Sequence, residues 1–168
     1  MKNSGVTLIE LLVVVAVIGI LVIALAFNYA GWMGRYKVES AVKDLYSDLV
    51  DARGRAMQRN RDFFADFNLP LPPANMGRYR IYEDVNEDGA FDPATDRLLP
   101  TFPKTVDYAI NWSAGGAMTF DKRGIVSPDG TINFTFSADV DPDFDCVVIT
   151  AGTRIKMGKM TGGACNAK

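Results

Sequence analysis

The side chains of this chain best suited to chemistry are oxygen donors, and they cluster. Residues 84–96 read DVNEDGAFDPATD, a D-x-N-x-D-G-x-x-D pattern. Side-chain oxygens recur at Asp84, Asn86, Asp88 and Asp92, Ala90 offers its carbonyl, and Gly89 stands where the turn must be sharp. A hard cation such as calcium asks for that spacing, because it takes six to eight oxygens from a loop that folds around it. Thr95 holds the twelfth position in place of a bidentate glutamate, and Asp96 follows it. Two readings stay open: a calcium loop formed by Asp84, Asn86, Asp88, Ala90, Asp92 and Asp96, or a solvated acidic hairpin loop. Six acids between Glu83 and Asp96 would repel one another without a counter-ion. No EF-hand helix pair is expected around the loop, since residues 79–82 before it read as strand. A second acidic run, Asp139, Asp141, Asp143 and Asp145, is broken by Pro142 and reads as a solvated loop, with a second cation site as the alternative.

What is missing is equally informative. The 168 residues contain no histidine, which removes Ser-His-Asp and Cys-His nucleophiles, His-ligated zinc and proximal-His haem. Two cysteines cannot build a four-thiolate centre. A net charge of −2 argues against a protein that coats nucleic acid. No catalytic constellation remains, and the chain is not expected to be an enzyme. The charge is uneven, however: residues 1–61 hold 8 basic and 5 acidic side chains, residues 62–168 hold 10 and 15. After Asp145 there are only bases, Arg154, Lys156, Lys159 and Lys168. These read as a solvated basic edge facing the acidic loops or a neighbouring subunit, with a salt-sensitive DNA grip as the alternative.

The elements that would position these groups begin with an apolar stretch. Residues 11–34 carry no charge, and include LLVVVAVIGILVIALAF. At roughly 1.5 Å per residue a helix of this length reaches about 36 Å, enough for a hydrocarbon core of about 30 Å. The run is too long for a secretory h-region and lacks an A-x-A-like cleavage site, so it reads as a retained membrane helix. Glu10 lies at its entrance. An acid there either sits at the water boundary or has a partner.

The opening MKNSG followed by VTLIELLVVVAVIGIL resembles the class III signal of type IV pilins and type II secretion pseudopilins. The resemblance implies a leader of residues 1–5, cut by a prepilin peptidase between Gly5 and Val6, with methylation of the new terminus. It also implies that Glu10 supports assembly. The physics agrees: a fresh ammonium on Val6 can be neutralised by the carboxylate of Glu10 on a neighbouring subunit, fixing the register of packed helices. Major pilins often carry a proline late in this helix. Phe27 and Asn28 occupy that region here, which implies a minor subunit.

Beyond the apolar run, Val38, Val42, Leu45, Leu49, Ala52 and Ala56 recur at alternating spacings of four and three, one face of a helix. We expect one helix from about Val6 to Arg59, membrane-spanning over 6–34 and amphipathic over 35–61; a separate amphipathic helix after a loop is the alternative. From residue 62 to 168 the period changes. Runs such as FFADF, RYRIYE, VDYAINW, AMTFD, TINFTFS, CVVIT and TRIKM alternate with Gly, Pro, Asp and Asn. They predict an antiparallel β head packed on the helix, hence an α+β fold. Pro128, Asp129 and Gly130 predict a hairpin, and Pro70, Pro72 and Pro73 a loop. Cys146 and Cys165 fall on the side of the membrane that would be an oxidising periplasm, where pairing is expected.

The layout resembles the GspH/FimT branch of minor pseudopilins and pilins. FDKRG at 120–124 and Gly152, Arg154 and Lys156 carry that likeness. It implies a subunit held in the inner membrane with its head in the periplasm, then drawn into a fibre with other pilin or pseudopilin subunits. It implies no required cofactor. The FimT side implies DNA capture through Arg154, Lys156 and Lys159, although Thr153 separates Gly152 from Arg154. A single-pass anchored periplasmic protein is the remaining alternative.

Overall fold

The computed structural model describes residues 7–67, 76–150, 152 and 154–168, and of residues 24–30 the backbone alone. Gly5, Val6 and the leader, and the loop expected at Pro70, Pro72 and Pro73, lie outside the described residues.

One helix, α1 (Leu8–Arg59), runs for 52 residues. It starts where the sequence supplies a cap: the Thr7 hydroxyl accepts the Glu10 backbone N–H at 3.3 Å, and the Glu10 carboxylate accepts the Thr7 N–H at 3.4 Å. This reciprocal pair satisfies two donors that a helix start leaves open. It ends at Asn60, which adopts the left-handed conformation and donates its N–H to the Ala56 carbonyl. Gly31 and Gly34 lie within the helix without interrupting it, so the alternative of two helices is excluded.

Eleven strands follow among the described residues: β1 (Phe63–Asp66), β2 (Gly77–Glu83), β3 (Arg97–Leu98), β4 (Lys104–Val106), β5 (Ala109–Trp112), β6 (Ala117–Phe120), β7 (Val126–Ser127), β8 (Gly130–Thr135), β9 (Cys146–Thr150), β10 (Arg154–Thr161) and β11 (Ala164–Ala167). They form two antiparallel sheets. One runs β3-β2-β1-β6-β7, with β4 also on β2; the other runs β11-β10-β9-β8-β5. The stripe read from the sequence is the buried face of α1: Val38, Val42, Leu45, Leu49, Ala52 and Ala56 are 0 to 1% exposed. Against it stand alternate residues of both sheets, among them Phe63, Ile81, Met118 and Phe120 from the first and Ile132, Val147 and Ile149 from the second. Period two on the strands and period 3.6 on the helix meet in one core.

The hairpin expected at Pro128, Asp129 and Gly130 is corrected. β7 pairs with β6, whereas β8 pairs with β5 and β9 in the other sheet. The turn residues therefore carry the chain between sheets. The actual hairpin is upstream, at residues 121–125 between β6 and β7, where the Asp121 carboxylate accepts the N–H groups of Arg123 and Ile125 at 2.9 and 2.8 Å. VDYAINW likewise divides into β4, on β2, and β5, on β8.

Polar clasps tie the helix to the head. Asp48 accepts the Tyr79 hydroxyl at 2.5 Å and the Lys104 ammonium at 2.7 Å. Burial, then that hydrogen bond, pushes the Tyr79 phenol far above its ordinary range. Farther along α1, Glu83 is buried between Arg59, at 2.6 Å, and Arg97. The two guanidiniums are 43% and 58% exposed and the carboxylate only 4%, so the cost of breaking this clasp is lopsided. Arg59→Ala with Arg97→Ala strands a buried charge and should cost about 2–3 kcal/mol, discounted for solvent screening. Glu83→Gln frees the arginines into water and should cost less. Urea melts of the full chain check the order; equal losses would contradict it.

Candidate functional site

The first site is the helix itself. Leu8, Ile9, Leu11, Leu12 and the aliphatic residues that follow to Ile23 are half or more exposed. An apolar surface this long on one element marks a contact with other helices or with lipid. Among the described residues no helix is long and apolar enough to cross a membrane. Glu10 is exposed and held in the capping box, so in the single chain its carboxylate closes the helix start. The S/T-x-x-E signature that announces this cap, Thr7 to Glu10, is legible in the sequence, but the expectations above placed Glu10 at the water boundary or in assembly and not in a cap. Between this stretch and the head, Trp32 and Tyr36 stack at 6.1 Å, each 60% exposed.

The second site is the loop after β2. Asp84 is buried, and its carboxylate accepts the N–H groups of Glu87 and Gly89 at 2.6 and 2.9 Å. Gly89 has φ +70°, which a side chain would resist, and so makes the sharp turn. Asp88 accepts Asn86 Nδ2 and the Ala90 N–H, both at 2.8 Å. Asp92 accepts the Ala94 N–H at 2.9 Å, and Asp96 accepts the Asp92 N–H at 2.8 Å. Burial raises the Asp96 carboxyl above its ordinary range; the Asp92 N–H opposes this, while the charges of Asp84, Asp88 and Asp92 add to it. Phe91 anchors the loop tip, with ring centroids 5.7 Å from Phe64 and 5.2 Å from Tyr82. As the side chains stand, no group of three or more acidic, cysteine or histidine residues among the described residues is gathered to hold a metal ion.

The third is the basic end of the chain, which the fold places beside the second acidic run. Lys159 bonds Asp141 at 2.5 Å, and Lys168 lies 3.5 Å from Asp143 and over the Phe144 ring. Asp145 is buried and accepts the Met160 N–H at 2.6 Å. Of the residues expected on a DNA-binding edge, Arg154 and Lys156 are exposed on β10, while Lys159 is engaged within the head. The same loop meets the helix: the Asp143 N–H donates to Glu39 at 2.9 Å, and Val140 packs on Gly34.

Cys146 and Cys165 are joined, as expected. β9 and β11 are not neighbours; β10 runs between them, and Gly158 is the residue the bridge crosses. A Cβ at Gly158 would stand 2.4 Å from the Asn166 carbonyl oxygen and 2.9 Å from Cys165 Sγ. The sequence shows the two cysteines, but not that a glycine is needed between them.

An uncovered apolar helix continues without a break into the core of a two-sheet head, the layout of a pilin-like subunit. The family model described as "Type II transport protein GspH" matches residues 41–153, and that described as "Prokaryotic N-terminal methylation motif" matches residues 1–26. The chain belongs to the GspH family and is a type II secretion pseudopilin or pilin-like protein of the cell envelope. No curated protein and no solved structure matches it.

Proposed function

We propose that the chain is a minor structural subunit of a type II secretion pseudopilus or type IV pilus, and that its role is not catalytic. The precursor is cut by a prepilin peptidase between Gly5 and Val6, methylated, and held in the inner membrane through residues 6–34 with the head in the periplasm. It then joins other pilin or pseudopilin subunits through the same helix. The uncharged run at 11–34, which includes residues 24–30, supports the membrane step, as does the methylation-motif match over 1–26.

The observation that carries the reading is the division of α1. Its second half is sealed into the head by residues at 0 to 1% exposure, while its first half leaves every aliphatic side chain from Leu8 to Ile23 uncovered. An anchored head needs only a span. A subunit that leaves the bilayer for a fibre also needs a charged device to set its register, which Glu10 supplies against the Val6 ammonium of a neighbour. Mass spectrometry of the protein extracted from the envelope of its native host tests this. The expected N-terminal peptide begins at methylated Val6; a chain retaining Met1 would reduce the protein to an ordinary anchored one.

A further inference from the structure

We propose that Trp32 and Tyr36 form a membrane-surface anchor. Their stacked rings lie in the headgroup layer on the periplasmic side of the inner membrane, fix the depth of α1, and hold the head against the lipid. The inference rests on the membrane step proposed above and adds the level at which the helix leaves the bilayer.

Three observations meet at this level of α1. The first is charge. The run without charge ends at Gly34, and Arg35 and Lys37 follow it, both exposed. Trp32 lies 22 residues after Glu10, about 33 Å along a helix, close to a hydrocarbon core of about 30 Å. With Trp32 at one interface, Glu10 reaches the other, where a carboxylate can meet water.

The second is the aromatic pair. Residues four apart share a helix face, and these two rings stack at 6.1 Å while each residue stays 60% exposed. Neither belongs to the core of the head. Indole and phenol have an apolar body and one polar tip, so they favour the layer where acyl chains give way to headgroups. The surroundings change in the same order. On the N-terminal side the exposed large side chains from Leu11 to Ile23 are all aliphatic. On the other side Tyr36 borders a cavity of about 420 Å³, lined also by Lys37, Ser40 and Asp44 of α1 and by Asp107 of the head.

The third is the place where the head begins. Val140 packs on Gly34, and Val38 is 0% exposed, so the head closes on α1 within two turns of Trp32. A bilayer surface at the aromatic pair would therefore lie directly beneath the head. Arg35 and Lys37 flank the pair and can extend their cations to lipid phosphates. A partner helix would suit the aliphatic stretch, but rings alternating with cations match the lipid–water boundary.

The test is tryptophan quenching of the full chain in phosphatidylcholine vesicles whose acyl chains carry bromine near the headgroup or near the chain end. Trp112 is 7% exposed within the head, and a Trp32→Phe variant supplies its background for subtraction. Shallow bromine is expected to quench Trp32 about twofold or more above deep bromine. Tyr36→Ala should melt as wild type does, yet bring the two efficiencies towards equality, because one ring fixes depth less firmly than two. Flotation of the same vesicles tells the failures apart. A chain that floats with Trp32 unquenched, or quenched more by deep bromine, would overturn the anchor and leave the span standing. An unchanged ratio in Tyr36→Ala would overturn the joint role of the pair. A chain that does not float would remove the membrane step itself, and the anchor with it.

Discussion

Replacing Gly158 with valine is expected to leave both cysteines unpaired and to lower Tm by about 10 °C or more. β10 pairs with β9 on one side and β11 on the other, with Gly158 opposite Cys146 in one register and Ala167 in the other. The bridge therefore passes over the backbone of β10 at the one place with no side chain to obstruct it. A Cβ there meets the Asn166 carbonyl carbon and oxygen at 2.8 and 2.4 Å, and backbone atoms in a paired strand cannot yield cheaply. Two losses add: displacement of β11, and release of a crosslink whose closed loop of about 20 residues contributes on the order of 3 kcal/mol in the chain-entropy model. Thiol titration and a thermal melt read them separately. Cys146→Ser with Cys165→Ser should lose only the crosslink, and Gly158→Val added to that pair should still destabilise through Asn166. A valine variant with no free thiol and the wild-type Tm would contradict the geometry.

The parts that could be read along the chain were those with a local period. The stripe from Val38 to Ala56 follows from spacing alone, and every member is buried where that spacing put it. The strands richest in aromatic and β-branched residues were equally plain. What escaped depends on partners distant in sequence. Gly130 looks like a hairpin residue because Pro128 and Asp129 precede it, yet β8 is claimed on both edges by β5 and β9, and Trp112 packs where a Gly130 side chain would lie. The short strands β3, β7 and β11 carry too few residues to show a period. The basic tail was read as an edge facing the acidic loops, and the fold does bring Asp141 to Lys159 and Asp143 to Lys168; which acid meets which base was not legible. The acidic loop was legible as a set of donors; that Asp96 is buried with an oxygen left over was not.

Substituting Glu10 is the second change with a large expected effect, and it separates two roles of one side chain. In the single chain Glu10 caps its own helix by accepting the Thr7 N–H. Leucine there forfeits about 1 kcal/mol of capping in a stretch remote from the core, so the head should melt as wild type does. In a fibre assembled as proposed, by contrast, leucine would leave the Val6 ammonium of a neighbour buried without its counter-charge, a loss expected to cut incorporation tenfold or more. Glutamine keeps the capping geometry, since either residue closes a capping box, but it carries no charge. The decisive measurement is the amount of full-length subunit in the native host's sheared fibre fraction for wild type, Glu10→Gln and Glu10→Leu, each normalised to its level in the membrane. Both variants should be depleted about tenfold or more while remaining folded in the membrane. Incorporation of either at the wild-type level would contradict an assembly device built on this carboxylate.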